Sequence, residues 1–111
     1  MAHAANNSVM ESELDLIRAR YVASLDITII ELDVLLNAIG SPDSDRALAA
    51  IRSRVHKIAG VAPMLGFSRI GELARQIETA LEGRATSLDP GKARLVRDQL
   101  EHLLDELERC L

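Results

Sequence analysis

Four stretches of apolar residues recur every three or four positions, and each is bounded by glycine, proline or the chain end. That period is the repeat of one helix face, and it leaves little room for a sheet. In the first stretch the stripe is Leu14, Ile17, Tyr21, Leu25, Ile29, Leu32 and Leu36. Ser8 or Ser12 can cap it, with Glu11, Glu13 and Asp15 in the opening turns. It reads as one long helix or two nearly continuous ones, ending near Ile39-Gly40. Gly40 suits a C-cap and Pro42 blocks continuation.

The second stretch starts between Ser41 and Asp45, with Asp43 or Ser44 as cap. It carries Ala47, Leu48, Ile51, Val55, Ile58 and Ala62. Pro63 lacks an N–H and crowds the carbonyl of Ala59, so it should kink or end this helix. A short connection through Gly66 leads to Phe67, Ile70, Ala74, Ile77 and Leu81; Gly83 ends that helix and Arg84 to Pro90 forms a loop. The last helix runs from about Asp89 to the C-terminus on Ala93, Val96, Leu100, Leu103, Leu104 and Leu107. Pro90 suits its first position after an Asp89 cap.

Short connections favour antiparallel neighbours. The predicted fold is all-α: an up-and-down antiparallel four-helix bundle, with an extra short N-terminal helix if the first stretch divides. Residues 9–111 form this single domain, and residues 1–8 a mobile N-terminal tail. The short ends around the bundle suit a stand-alone protein. The core must be aliphatic, because 48% of residues are hydrophobic but only 2% aromatic.

Several classes of function drop out. A net charge of −4, with no basic face carrying aromatic groups, argues against nucleic acid as a partner. No apolar run approaches the ~20 residues of a membrane span. The first eight residues lack the basic and apolar regions of a signal peptide. The one cysteine, Cys110, excludes an intramolecular disulfide and fits a reducing, cytoplasmic setting. His3 reads as solvated and His102 as a surface residue. The histidines have no metal-ligand spacing, so no metal is expected. Without a glycine-rich phosphate loop, neither a nucleotide site nor another cofactor is expected.

His56 stands off the second stripe. It shares a separate helix face with Arg52, Ala59, Gly60 and Pro63. Ala59 and Gly60 lie beside it one turn on. A glycine in a helix interior costs roughly 1 kcal/mol relative to alanine. Close approach of another protein's backbone to the imidazole is the best reason for that cost, with Ala59, Gly60 and Pro63 as the partner-docking surface. A neutral imidazole nitrogen is a good nucleophile toward phosphorus, and histidine can carry covalent intermediates. Phosphoryl transfer asks the protein mainly for positioning and nearby positive charge. Arg52, one turn earlier, is the better phosphate neighbour. Lys57 points about 100° away and sits at the rim. Arg69 and Arg75 fall on the outer side of the third helix, solvated or facing an acidic partner. An imidazole reacting through one nitrogen needs the other held. Glu78, at the edge of the third stripe, is the candidate orienter.

The run His56-Lys57-Ile58-Ala59-Gly60 followed by Leu65-Gly66-Phe67 resembles the signature of histidine-containing phosphotransfer (HPt) domains. The resemblance covers nearly the whole chain. It implies that His56 accepts a phosphoryl group at Nε2 from a receiver-domain aspartyl phosphate and passes it to another receiver. It implies that Gly60 gives the receiver room to dock. Glu78 matches an acidic residue that pairs with the histidine in chemotaxis-kinase phosphotransfer domains. Two positions depart from the pattern: Ala59 stands where a lysine is usual, and Pro63 where Gly, Ala or Thr is common. The function so implied is a phosphoryl carrier of a bacterial-type multistep phosphorelay, with no kinase activity of its own. Its partners are receiver domains, magnesium belongs to the receiver alone, and the expected state is a monomer. The alternative is a helical adaptor that docks a receiver or kinase without carrying phosphate.

Overall fold

The computed structural model describes residues 2–82 and 89–111, with side chains described from Glu11 onward. It contains four α-helices: α1 Ala2–Ala38, α2 Ser44–Val61, α3 Ser68–Leu81 and α4 Pro90–Arg109. A short 3₁₀ turn, Pro63–Leu65, joins α2 to α3, and no strand occurs among the described residues. Each helix packs antiparallel to the next, and α4 returns beside α1. The fold is the all-α bundle that the four stripes predict. None of the described helices is long and apolar enough to cross a membrane.

The helix ends follow local chemistry. Gly40 has φ +90°, the left-handed cap that ends α1. Its N–H donates to Ser44 Oγ at 3.0 Å. Asp43 is the N-cap residue of α2 but makes no side-chain cap bond. Asp89 caps α4, accepting from the Lys92 N–H at 2.8 Å, and Pro90 takes the first turn. Pro63 does end α2, and the chain turns there. The predicted loop from Arg84 to Pro90, with Gly83, lies mostly outside the described residues.

The core is aliphatic. Leu25 and Leu32 of α1, Ile51 and Val55 of α2, Ile77 of α3, and Val96, Leu100, Leu103 and Leu107 of α4 are all 0–1% exposed. Burying each such side chain stabilises the fold by roughly 1.5–3 kcal/mol. No polar or charged residue is fully buried among the described residues, although the Tyr21 hydroxyl and the Gln99 Oε1 are closed off from solvent.

The first helix is a single long one, the undivided of the two forms expected, so no separate N-terminal helix forms. It departs from expectation in three ways. It begins before Ser8 and Ser12, so neither is its cap. Residues 2–8, read as a tail, belong to the same helix; His3 lies outside the described side chains. Leu14 (40% exposed) and Ile17 (48%) lie on the outside although they continue the stripe. The cause is length. At 1.5 Å per residue, α1 spans about 55 Å and α2 only about 27 Å. Arg18 marks the level where the bundle stops, its Nε donating to the Leu65 carbonyl of the connecting turn at 2.8 Å. At the other end of α1, Arg97 of α4 donates to the Ile39 carbonyl at 3.0 Å.

Candidate functional site

The site lies on the seam between α2 and α3, and the turn joining them sets its register. Gly66 adopts φ +91°, a conformation that L side chains rarely take. The Phe67 N–H donates back to the Ala62 carbonyl at 2.9 Å, closing the turn. Pro63 then lies against Gly71 of α3. A Cβ on Gly71 would fall 2.7 Å from Pro63 Cδ, so only glycine lets the helices meet this closely. Beneath the turn the Phe67 ring stacks on Tyr21 of α1, with centroids 5.8 Å apart. Burial pushes the Tyr21 phenol above its ordinary range, with the Cys110 thiol adding to the shift.

From Pro63 back to His56 is seven residues, and from Gly71 forward to Glu78 is also seven. Two turns along each antiparallel helix therefore bring His56 and Glu78 level. His56 Nδ1 is hydrogen-bonded to Glu78 Oε2. The imidazole is 74% exposed and the carboxylate 29%. An ionised carboxylate only accepts, so the nitrogen facing it carries the proton. In the neutral ring the lone pair is then left on Nε2, the other ring nitrogen. Such an arrangement holds a nucleophilic nitrogen outward and gives the ring a counter-charge if it becomes cationic.

Gly60 is exposed, and a Cβ built on it would meet nothing within 4 Å. Packing within the chain therefore does not demand a glycine here. The open space sits one turn from His56. Pro63 is exposed on the same side.

A family model for the Hpt domain matches residues 10–110. The chain belongs to the Hpt domain family. Hpt domains are phosphocarriers of two-component signalling; they interact with receiver domains and lack kinase activity. Comparison with curated proteins and with solved structures gave no match.

The remaining residues predicted for the Hpt site divide. Arg52 is exposed one turn before His56. Lys57 is exposed too, but it lines a groove between α1 and α2 with Tyr21, Thr28, Glu31 and Arg54. That groove runs along the side of α2 away from α3, and the Arg54–Glu31 ion pair (2.5 Å) crosses it. Ala59 corrects the sequence reading. It is 7% exposed and part of the core cluster, not an open docking surface. Three residues after His56 is about 60° back around the helix, and here that turn faces the core. Among the described residues no three His, Cys, Asp or Glu side chains converge as a metal site.

Two contributors to the Hpt site escaped sequence reading. Gly71 sets how closely α3 approaches Pro63; a glycine inside a helical stripe was its only signal. Arg18 ties the connecting turn to α1 from forty-seven residues away, and nothing in its local sequence marks that role.

Proposed function

We propose that this Hpt domain is a cytoplasmic phosphoryl carrier of a multistep phosphorelay, with His56 as the residue that carries the group. The Nε2 lone pair attacks the phosphorus of an aspartyl phosphate on a receiver domain. An N–P bond forms while the acyl-phosphate O–P bond breaks, and the bonding electrons leave on the receiver's carboxylate. The ring gains positive charge as the N–P bond forms. Its Nδ1 proton stays in the hydrogen bond to Glu78, whose carboxylate offsets that charge. The reverse step, with a second receiver's aspartate as nucleophile, passes the group on. Arg52 offsets phosphate charge, while Gly60 and Pro63 let the receiver's backbone come close. In this reading magnesium sits in the receiver's acidic pocket.

The observation that carries the reading is the exposed imidazole with Nδ1 held by Glu78, beside a glycine whose Cβ space is empty. A second reading, an adaptor that docks a receiver or kinase without carrying phosphate, draws on Ala59, which supplies no cation beside His56. Incubation with a receiver bearing radiolabelled aspartyl phosphate separates the two. The carrier acquires an acid-labile, base-stable label that His56→Gln abolishes. No label on wild-type protein from any of several receivers overturns the carrier reading in favour of the adaptor.

A further inference from the structure

We infer that Arg75 of α3 is a phosphate-binding residue, closing with Arg52 of α2 around the phosphoryl group on His56. The inference rests on the carrier reading. A phosphoryl group brings about −1.5 to −2 charge near neutral pH, and it would sit on a ring already backed by the Glu78 carboxylate. Positive charge must therefore come from elsewhere around the ring. On α2 itself Arg52 supplies it on the N-terminal side only. One turn toward the C-terminus stand Ala59 and Gly60, which carry none. Lys57 lines the groove on the α1 side.

The register of the seam identifies the missing cation. Pro63 meets Gly71, and His56 meets Glu78. Between those two fixed levels, the residue three after His56 lies across from the residue three before Glu78. Ala59 is therefore level with Arg75. On α3, Arg75 lies about 60° around from Glu78, toward solvent. His56 is likewise turned toward solvent from the seam, at 74% exposure. Both side chains thus open on the same outer side. Packed helix axes are about 8–10 Å apart, a gap that an extended arginine side chain can largely span. Arg75 is exposed and forms no hydrogen bond or ion pair with another described residue. It can turn to the phosphoryl group without breaking a bond. Arg69 of the same helix, by contrast, is paired with Glu72 at 3.5 Å. A guanidinium also suits the task, because its planar fork meets two phosphate oxygens at once.

The test loads His56 with potassium phosphoramidate, a small donor that needs no receiver surface, and follows the phosphohistidine by 31P NMR across pH. A nearby cation favours the dianionic phosphoryl group. Arg75→Gln should therefore raise the second phosphate titration midpoint by about half a pH unit, as expected for one charge about 6 Å away in a water-like medium. Arg75→Lys should keep most of the wild-type value, and Arg69→Gln should leave it unmoved. An Arg75→Gln midpoint equal to wild type, with His56 fully loaded, overturns the Arg75 inference and leaves the carrier reading standing. Failure of wild-type His56 to take the group from either phosphoramidate or a receiver contradicts the carrier reading and this inference with it.

Discussion

At the scale of single residues, the site depends on what is missing as much as on what is present. Gly60 has no neighbour that a methyl group would strike, yet it occupies a helix where alanine is preferred by roughly 1 kcal/mol. Gly60→Ala should therefore stabilise the fold by up to about that amount, read as a higher midpoint in urea unfolding. Gly60→Leu should fold as well as wild type. Its transfer from a phosphorylated receiver should fall by about tenfold or more, a barrier increase of about 1.4 kcal/mol. Its uptake from phosphoramidate should fall much less, because that donor has no backbone to exclude. Equal losses with both donors would contradict a docking role. Ala59 carries the opposite lesson. It is Gly60's neighbour in sequence but lies four residues after Val55 and three before Ala62, on the buried face of α2.

At the scale of elements, the helical turn between α2 and α3 does the positioning. Gly66 reverses the chain, Pro63 seats against Gly71, and two turns farther on His56 reaches Glu78. Gly71→Ala forces a Cβ into the Pro63 ring and should cost about 1–3 kcal/mol, as overpacking does. Because the same contact sets the seam, the variant should also slow phosphoryl transfer under conditions where it remains folded. Wild-type stability and wild-type transfer together would show that Pro63 and Gly71 do not fix the register. The period of three and four made the helices of the bundle legible, since Ile51, Val55, Ile77 and Leu103 recur where a buried face must. The end of a stripe's burial was not legible. Leu14 and Ile17 continue the pattern of α1 past the level at which any helix remains to cover them. On its far side Ile27 (64% exposed), Ile30 (63%) and Val34 (62%) make a second apolar row, which the one-stripe reading passed over.

At the scale of the whole molecule, the bundle is a scaffold that brings one nitrogen to the surface. Its long dimension is 61 Å against 24 and 18 Å, set by α1, while the site occupies the seam of two shorter helices. The exposed His56 imidazole, its Glu78 partner and the open Gly60 were legible because each residue type has a chemical reason to stand at its spacing. Arg18, Gly71 and the level of Arg75 were not, because they act between residues distant in sequence, and a period along one helix carries no register between two. In the proposed carrier, Glu78 holds Nδ1 and so leaves Nε2 as the reacting atom. Long-range 1H–15N NMR of phosphorylated, 15N-histidine-labelled protein tests it directly. The expected result is a phosphoryl group on His56 Nε2 with the proton on Nδ1. Phosphorylation at Nδ1, or at any residue other than His56, would contradict it.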